Sequence, residues 1–443
     1  MSNRGGMDQR GAGTRWINWA GNVEAFAAEV ARPGTADEVA EVVRRAARTR
    51  AKLRAVGSGH SFTETAATSG IRLEPDRLTG IVSVDRGTRE VRVRAGTTLA
   101  ALNADLAAHG LALPNLGDVD VQTVAGALAT GTHGTGAGYG CLSTFVAALE
   151  FVTGTGELVR CSPAEHPDLF AAARVGLGAL GVVTEVTLRC VDAFIRHADE
   201  RPARLADVLA GLDELTATNQ HFEFYWMPYT DRTLTKANNP VDEDSAPRGR
   251  FARWFNDDLL ENTVIGAVCR LSRAVPRLTP TLLRTTARFF SPRVYTERSD
   301  LVFTSPRRVR FMEMEYGVPR AAIGEAFAGL RRVVEGLGHP VALPVEVRFT
   351  AADDIWLSHG YGRDSAYIAI HQFVGMPYEE YFRSFERVCS DLGGRPHWGK
   401  MHFRDASTLR PAYPRFDEFL AVRDACDPAR VLANPYTERV LGP

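Results

Sequence analysis

Two glycine-rich loops, each carrying a histidine, constrain this chain more than any other feature. The first has the sequence GSGHSF from Gly57 and follows a short apolar strand; the second has the sequence TGTHGTG from Thr130. Glycine adopts backbone angles that are closed to other residues, so successive amides in such a loop can converge on a phosphate. A histidine there lies beside whatever carries that phosphate. The two loops therefore predict a bound cofactor rather than plain turns.

Length and composition allow an ordinary globular protein of two domains. The chain has 443 residues, enough for two substantial cores. Its 52 basic and 53 acidic side chains give a net charge near zero. Nothing in that charge favours nucleic acid or an anionic membrane as a partner. No apolar stretch approaches the roughly 20 residues that a membrane helix needs.

The N-terminus and the cysteines bear on the compartment. Residues 1–14 are polar and glycine-rich, without the apolar core of a secretory signal, and we expect a disordered tail. The six cysteines are scattered and form no CxxC pair. This favours reduced, mostly buried thiols over a disulfide framework or a zinc site. We therefore expect a cytoplasmic protein.

The first half of the chain predicts an irregular alternation of strands and helices. Thr35 and Glu38 form a capping box that opens a helix to about Arg50. A hairpin is expected at 81–85 and 90–95, then a helix capped by Thr98 and closed by Gly110. Further strands are expected at 52–56, 148–153, 158–161 and 182–188. The irregular order favours an α+β fold over a doubly wound sheet.

The pattern changes near residue 192. Helices at 203–216 and 320–337 alternate with aromatic-rich strands at 221–227 and 310–316. Residues 238–250 predict a polar loop or insertion, and 278–290 a basic helix with solvated arginines. We divide the chain into the tail, a first domain at 15–192, a second at 193–425, and a segment at 426–443 that returns to the first.

The common nucleotide-binding motifs do not fit the glycine loops. A Rossmann fingerprint needs a third glycine three residues after Gly59, where this chain has Phe62. The P-loop pattern GxxxxGK[ST] is absent from the sequence.

Taken together and in order, the motifs resemble the vanillyl-alcohol-oxidase superfamily. The two loops, TVAG from Thr123 and GALGVV from Gly178 resemble its flavin-binding domain. EVR from Glu346, AADDIW from Ala351 and HWGK from His397 are similar to the branch of aldonolactone oxidoreductases and alditol oxidases. The resemblance covers about residues 15–440. It implies an α+β, two-domain flavoenzyme: a PCMH-type FAD-binding domain at 15–192 and a substrate or cap domain built on an antiparallel sheet with helices.

The resemblance implies FAD bonded covalently to His60; the alternative is a loop histidine that only forms hydrogen bonds. Backbone and hydroxyl groups of the first loop are expected at the pyrophosphate, and the second loop on the other side of the cofactor. His133 has an alternative role in fixing its own loop. The implied cofactor-binding residues are Gly57, Ser58, Gly59, His60, Ser61, Gly117, Asp118, Gly126, Thr130, Thr132, His133, Gly134 and Val183.

Two of these residues bear on the reaction. Gly117 leaves space above the flavin, which would admit dioxygen and favour an oxidase. Asp118 stands where alditol oxidases have a serine, which favours a lactone substrate over an alditol.

The implied catalytic residues are Glu346, Arg348, His371 and Lys400. Strand alternation places Glu346 and Arg348 on one face, and without the family an amphipathic strand with a surface ion pair is the simpler explanation. His371 shares a strand face with Tyr367, where a core histidine is the alternative. The resemblance directs the Glu-x-Arg pair at the reacting carbon and Lys400 at the flavin or a substrate oxygen.

These residue types suit alcohol oxidation by a flavin, in which a hydride leaves carbon for N5 and a proton leaves the hydroxyl. A cation near the hydroxyl lowers its pKa, and a second cation stabilises the reduced flavin. Arg348 and Lys400 are the candidates for these roles. Either Glu346 or His371 accepts the proton, and the sequence does not decide between them.

The leading hypothesis is FAD-dependent oxidation of a sugar 1,4-lactone of the L-gulono or D-arabinono type, with O2 or another acceptor reoxidising the flavin. An alditol oxidase acting on xylitol or sorbitol is the alternative. A metal enzyme built on His371, His397 and His402 matches no common ligand spacing, so we expect no metal site. A non-catalytic flavin protein is disfavoured because it would not need Glu346, Arg348 and Lys400 in one pocket.

Overall fold

The computed structural model describes residues 13–241, 261–305 and 307–443. Its strands form five sheets in the described ranges, of which a five-stranded and an eight-stranded sheet are the largest. The first lies in the N-terminal half of the chain, and the second begins at residue 195.

The N-terminal half combines a parallel sheet with an antiparallel one. Its strands are β1 (Thr14–Ile17), β2 (Glu24–Ala27), β3 (Glu29–Ala31), β4 (Leu53–Ala55), β5 (Ile71–Leu73), β6 (Ile81–Asp85), β7 (Glu90–Arg94), β8 (Leu111–Ala112), β9 (Val146–Thr153), β10 (Leu158–Cys161), β11 (Gly181–Arg189) and β12 (Val191–Asp192). Strands β3-β5-β4 pair in parallel, and β10-β9-β11-β7-β6 form the antiparallel sheet. The first glycine loop leaves β4 at its C-terminal end.

The second half is built on the eight-stranded antiparallel sheet. Its strands are β13 (Ile195–Arg204), β14 (His221–Trp226), β15 (Arg232–Val241), β16 (Arg293–Arg298), β17 (Phe311–Pro319), β18 (Val345–Thr350), β19 (Ser365–Phe373) and β20 (Arg395–Pro396), in the order β16-β13-β15-β14-β18-β19-β17-β20. The register pairs Glu346 with Ala369 and Ala369 with Glu315, and it pairs His371 with Glu313. Since side chains alternate along a strand, these polar residues share one face of the sheet.

Helices cover both sheets. They are α1 (Ala36–Thr49), α2 (Leu99–Ala108), α3 (Val124–Ala129), α4 (Pro167–Ala173), α5 (Leu205–Ala210), α6 (Leu212–Thr218), α7 (Glu261–Ala274), α8 (Thr279–Arg288), α9 (Ser299–Phe303), α10 (Ile323–Gly336), α11 (Glu379–Asp391), α12 (Ala406–Leu409), α13 (Phe416–Cys426) and α14 (Pro435–Leu441). None of the helices in the described ranges combines the length and the apolar character needed to cross a bilayer.

Local sequence explains the first helix. The Thr35 hydroxyl caps α1 by accepting a hydrogen bond from the Glu38 amide, as predicted. The predicted capping box also requires the Glu38 carboxylate to accept from the Thr35 amide. This part of the prediction is wrong, because the Glu38 carboxylate accepts from the Gly34 amide at 2.6 Å. Val39 and Val43 are fully buried, so this helix packs through an apolar face.

Most elements predicted from periodicity are confirmed. The hairpin of β6 and β7, helix α2 between Thr98 and Gly110, and strands β9, β10 and β11 lie where the pattern placed them. The mixed parallel and antiparallel sheets confirm the α+β class. Helix α8 lies within the predicted basic segment.

Three boundaries were wrong. Ala203 and Arg204 continue strand β13, so the helices of that region begin at Leu205. Residues 238–241, predicted as the start of a polar loop, complete β15, where pairing with β13 satisfies their backbone groups; residues 242–250 lie outside the described residues. Of the predicted tail, residues 1–12 also lie outside, and Thr14 already begins β1.

The C-terminal part of the chain packs on the N-terminal core. That core includes Trp356, Trp398, Phe416, Phe419, Tyr436 and Leu441 beside apolar residues between 91 and 190. The packing against the first half therefore begins well before residue 426, where we divided the chain. A second core joins the eight-stranded sheet to helices α10 and α11.

Arg54 ties three distant segments together. Its guanidinium donates hydrogen bonds to four backbone carbonyls, those of Thr65, Leu177, Gly178 and Leu432, at 2.7 to 3.0 Å. The side chain is buried, and burial lowers its pKa to about 10. These carbonyls belong to the loop after β4, the turn before β11 and the C-terminal segment, so one cation fixes all three around the first glycine loop.

We expect Arg54→Met to destabilise the protein strongly. Methionine fills a similar volume but leaves four buried carbonyls without donors, and we expect the free energy of unfolding to fall by about 3 kcal/mol or more. Urea unfolding followed by circular dichroism measures this loss, with Arg48→Met on the exposed end of α1 as the matched control. A loss no larger than that of the control would contradict the assignment.

Candidate active site

The first glycine loop lines a long cavity in the N-terminal half. The cavity is an open cleft between the loop after β4, helix α3 and strand β11, with about 1220 Å³ of space including that open to solvent. Among the described residues, the backbone amides of Gly57, Ser58, Gly59, His60 and Ser61 donate to no protein acceptor. Five successive unpaired amides at a cavity wall form a site for an anion such as a pyrophosphate.

Glycine is required in this loop by close contacts as well as by conformation. A Cβ on Gly57 would lie 2.3 Å from the Thr123 hydroxyl oxygen, and Gly59 has φ of +70°. At Gly181 a Cβ would lie 2.4 Å from the ring of Phe151. The cavity wall is therefore made of backbone, which leaves room for a large planar group and fits a dinucleotide such as FAD.

The predicted cofactor residues divide between two cavities. The first is lined by Gly57, Ser58, Gly59, His60, Ser61, Gly126, Thr130 and Val183, and the second by His60, Ser61, Gly117, Asp118, Thr130, Thr132 and His133. Gly134 lines neither cavity. Glycine is required there by close packing, because a Cβ would lie 2.1 Å from the Leu116 carbonyl oxygen. The Ser58 hydroxyl donates to the Val121 carbonyl, so only the backbone of Ser58 is available to an anion.

His60 stands where the two cavities meet. Its ring stacks on Trp19 with centroids 5.0 Å apart. Burial and then the positive charge of Lys400 lower its pKa to about 4. The imidazole is therefore neutral near pH 7 and has a lone pair available for bonding.

The second cavity, with about 1160 Å³ of space including that open to solvent, lies on the polar face of β17, β18 and β19. It contains the four predicted catalytic residues, Glu346, Arg348, His371 and Lys400. The opposite faces of these strands carry Val347, Met314 and Ile370, which are fully buried in the second core. The alternation predicted for β18 thus separates a charged cavity wall from an apolar core.

Arg348 is surrounded by carboxylates. Its Nη2 donates to Glu315 Oε1 at 2.8 Å, its Nε lies 3.6 Å from Glu346 Oε1, and its Nη1 lies 4.0 Å from Asp118 Oδ1. Burial would lower the pKa of Arg348, but these three carboxylates, Glu346 foremost, raise it well above its usual value. Arg348 is therefore a permanent, fixed cation in the cavity.

Lys400 and His371 share one carboxylate, that of Glu313. Lys400 Nζ lies 2.5 Å from Glu313 Oε2, and His371 Nε2 lies 3.5 Å from Glu313 Oε1. Burial would raise the pKa of Glu313, but Lys400 foremost and then His371 lower it to about 2. The His371 Nδ1 faces the Pro344 carbonyl at 3.0 Å, which can only accept, so Nδ1 carries a proton.

A further ion pair closes the other end of the cavity. Arg307 Nη2 lies 2.6 Å from Asp118 Oδ2, and the Tyr225 hydroxyl lies 2.8 Å from Glu346 Oε1 and 3.3 Å from Asp118 Oδ2. Burial and then the Asp118 carboxylate raise the pKa of Glu223 to about 7. Burial also raises the pKa of Glu346.

Two of the predicted cofactor residues, His133 and Gly117, have packing roles that explain their identity. His133 Nδ1 lies 2.8 Å from the Gly134 carbonyl, as expected of a histidine that fixes its own loop, and the ring contacts Tyr367 with centroids 3.7 Å apart. A Cβ on Gly117 would lie 3.0 Å from the His133 carbonyl. Glycine at 117 is thus explained by backbone packing and does not by itself indicate access for dioxygen.

The three histidines of the metal alternative do not meet. The His402 Nε2 lies 3.0 Å from the Tyr436 hydroxyl, and the His397 Nδ1 accepts from the Gly399 amide at 3.0 Å. Two other groups in the described part of the chain have ligand atoms close enough to hold an ion, His133-Glu315-His397 and Asp118-Glu223-Glu346. In each of them an arginine already pairs with a carboxylate.

Sequence reasoning missed Glu313, Glu315, Tyr225 and Arg307. The two glutamates have a visible signal: they alternate with buried Met312 and Met314 in β17, which is unusual for a strand with a neighbour on each side. Arg307 follows helix α9, in a stretch without periodicity, and nothing local marks it.

Comparison with known proteins agrees with this geometry. The model of the D-arabinono-1,4-lactone oxidase family matches residues 186–440, and that of the FAD binding domain matches residues 27–162. The chain is 43% identical to an L-gulono-1,4-lactone dehydrogenase of Mycobacterium tuberculosis (strain ATCC 25618 / H37Rv), covering 97% of this chain and 99% of the relative. It is 33% identical to the L-gulonolactone oxidase of Bos taurus, covering 97% and 98%. It is 34% identical to the alditol oxidase of a Streptomyces species, covering 97% and 99%.

A solved structure shares the fold. A solvent-stable cholesterol oxidase aligns with a TM-score of 0.81 at 20% identity, covering 96% of this chain and 97% of that one. The predicted two-domain fold with a PCMH-type FAD-binding domain is confirmed, and so is FAD as the cofactor.

We expect Glu313 to contribute acid-sensitive stability. Its pKa falls from 4.5 to about 2 on folding, so its contribution is present above pH 4.5 and is lost as the pH falls toward 2. Glu313→Gln should therefore cost roughly 1–3 kcal/mol of unfolding free energy near neutral pH and progressively less in acid. Urea unfolding at about pH 6 and about pH 3 measures this, with Glu41→Gln on exposed α1 as control. An equal cost at both pH values would contradict the role of the carboxylate charge.

Proposed function

We propose that this chain, which belongs to the D-arabinono-1,4-lactone oxidase family, oxidises a sugar 1,4-lactone of the L-gulono or D-arabinono type. One observation carries the proposal. Four polar residues from two strands and a loop, Glu346, Arg348, His371 and Lys400, line one cavity that joins the FAD cavity at His60. The product is the 2-keto lactone.

The charges of the second cavity suit a neutral, polyhydroxylated ring. Its wall carries four carboxylates, Asp118, Glu313, Glu315 and Glu346, and three cations, Arg307, Arg348 and Lys400. Both donors and acceptors are therefore available to hydroxyl groups. A ligand with net charge would face groups of its own sign on one side or the other.

The bound FAD supplies the acceptor for a hydride from the substrate carbon. Arg348 is the residue best placed to stabilise negative charge that develops on the substrate hydroxyl oxygen, because three carboxylates hold it in position and its charge is permanent. Lys400, held by Glu313 and lying 5.1 Å from the ring of Phe62, supplies the second cation beside His60.

Of the two candidate bases, His371 fits better than Glu346. The proton on Nδ1 leaves a lone pair on Nε2, which faces the cavity. Glu313 Oε1, 3.5 Å from that nitrogen, stabilises the imidazolium that forms when a proton arrives. Glu346 already accepts from the Tyr225 hydroxyl. It orients substrate hydroxyls instead.

The Asp118–Arg307 pair favours a lactone over an alditol. Asp118 holds Arg307 at the cavity wall, where the guanidinium presents donors. A lactone offers a ring carbonyl that can only accept, whereas each oxygen of an alditol both donates and accepts. The serine of alditol oxidases would not hold an arginine in this way.

Substrate reduction of the flavin tests the function directly. We expect L-gulono-1,4-lactone or D-arabinono-1,4-lactone to bleach the flavin without oxygen, and xylitol and sorbitol to do so far more slowly. Arg348→Ala should slow bleaching by about a hundredfold or more while flavin content stays normal. Stopped-flow absorbance measures both, with Arg48→Ala as control. Faster bleaching by an alditol would replace the lactone assignment with the alditol alternative, and an unaffected Arg348→Ala would remove that residue from the mechanism.

We also propose that His60 bonds covalently to the flavin, since its neutral imidazole lies at the junction of the two cavities. Acid precipitation of the protein should give a yellow pellet. His60→Ala should give a white pellet with the yellow colour in the supernatant, because the amides of the loop still bind FAD. Flavin that remains with the denatured His60→Ala chain would disprove this attachment site.

We place the enzyme in the cytoplasm, because all six cysteines are buried and unpaired, as suits a reducing compartment. The relatives are named as a dehydrogenase and as oxidases, so O2 and other acceptors both remain candidates for flavin reoxidation. Following bleached enzyme after addition of oxygen or of an artificial acceptor separates the two.

A further inference from the structure

One stretch of the chain has a charge unlike the rest. Residues 262–296 contain six arginines and neither aspartate nor glutamate, although the whole chain has a net charge of −1. This stretch comprises helices α7 and α8 and the start of the edge strand β16. The near-zero charge of the whole chain conceals this local excess.

Exposed apolar side chains concentrate in the same stretch. Large hydrophobic residues are exposed at eleven positions in the described part of the chain, and six of these lie here: Val264, Leu271, Val275, Leu278, Phe289 and Val294. Phe289, at the end of α8, is 81% exposed. Single exposed hydrophobic residues are ordinary on a protein surface, but a cluster of them marks an interaction site.

Four of these residues form a stripe along α7 and the turn that follows it. Val264, Leu271 and Val275 are separated by seven and four residues, which is the spacing of one helix face. The Val275 amide donates to the Leu271 carbonyl at 2.8 Å, and the helix ends there, because Val275 has φ of −134° and ψ of 78°. The exposed Leu278 extends the stripe in the short 3-10 turn that follows, Pro276–Leu278. The other face is buried: Gly266, Cys269 and Ser272 point to the protein, with Cys269 Sγ 4.0 Å from the Ala342 carbonyl.

The arginines fall into two groups. Arg273, Arg284 and Arg293 contact the protein through Val374, Tyr229 and Glu200. Arg270, Arg277 and Arg288 form no hydrogen bond or ion pair with any described residue and are exposed. Arg270 on α7 and Arg277 in the turn that follows are each adjacent in sequence to a residue of the apolar stripe, Leu271 and Leu278.

The first turns of α7 also reach the catalytic cavity. Asn262 and Ile265, on either side of the exposed Val264 in the sequence, line its wall. The same helix thus has one end at the substrate cavity and its outer face at the surface.

We propose that this face, the stripe of Val264, Leu271, Val275 and Leu278 with Arg270 and Arg277, docks on an anionic lipid bilayer. Apolar side chains enter the boundary between headgroups and acyl chains, while arginines bind lipid phosphates, and neither signal alone gives stable attachment. A nucleic acid would use the arginines but would leave the apolar stripe in water. An acidic protein partner is the competing occupant, and the experiment distinguishes it. The proposal does not depend on which substrate is oxidised.

Vesicle sedimentation of the full-length holoenzyme tests the proposal. We expect binding to phosphatidylcholine vesicles that contain about 30 mol % phosphatidylglycerol, and little binding to phosphatidylcholine alone. The variants Leu271→Ser/Leu278→Ser and Arg270→Glu/Arg277→Glu should each lower the partition coefficient by about tenfold or more. Flavin absorbance and turnover of the soluble substrate should remain normal, which shows that both variants are folded.

Matched controls carry the same changes elsewhere on the surface. Leu158→Ser replaces an equally exposed leucine on β10, and Arg86→Glu reverses an exposed arginine in the β6–β7 turn; both should bind vesicles as the parent does. Equal binding to both lipid mixtures would overturn the proposal, as would failure to bind either. Binding lost in Arg270→Glu/Arg277→Glu but unchanged in Leu271→Ser/Leu278→Ser would also overturn it and would indicate a site for a polyanion or an acidic protein.

Discussion

The active site depends on mutual compensation among buried charges. A carboxylate or guanidinium removed from water is costly unless opposite charges and hydrogen bonds replace its hydration. Arg348 faces three carboxylates, and Glu313 faces Lys400 and His371. The register of β17, β18 and β19 brings the partners on these strands together, and a slip of one residue would turn the side chains of the slipped strand, such as Glu346 and Arg348 of β18, into the apolar core.

Sequence predicted the parts of the molecule whose chemistry is local. The first glycine loop, the helix caps at Thr35 and Thr98, and the alternation of Glu346 with apolar neighbours are each visible within ten residues. The partners of the site residues were not predictable in this way. Glu315 meets Arg348 only through strand pairing, and Arg307 meets Asp118 across 189 residues of chain. Such contacts follow from topology, which periodicity alone does not specify.

The two cavities recognise their contents by different means. The FAD cavity is lined by backbone amides and by glycines, whose lack of a side chain leaves space for the cofactor. Its specificity therefore resides in loop conformation. The second cavity uses side chains on a rigid sheet, which can be exchanged without moving the backbone. This division is consistent with relatives that bear lactone and alditol names, and with a fold shared at 20% identity with a cholesterol oxidase.

The cofactor cradle is closed by residues that lie far along the chain from the glycine loop that they support. Arg54 binds the carbonyl of Leu432, and the Asn434 side chain donates to the carbonyls of Glu64 and Ala67, which follow the first glycine loop. The segment that holds the loop in shape therefore lies 367 to 378 positions further along the chain than its partners. A nascent chain has the loop sequence early but cannot close the cradle before Leu432 and Asn434 have been added, so a chain truncated ahead of them, however well its sheets have formed, lacks a closed cradle for flavin.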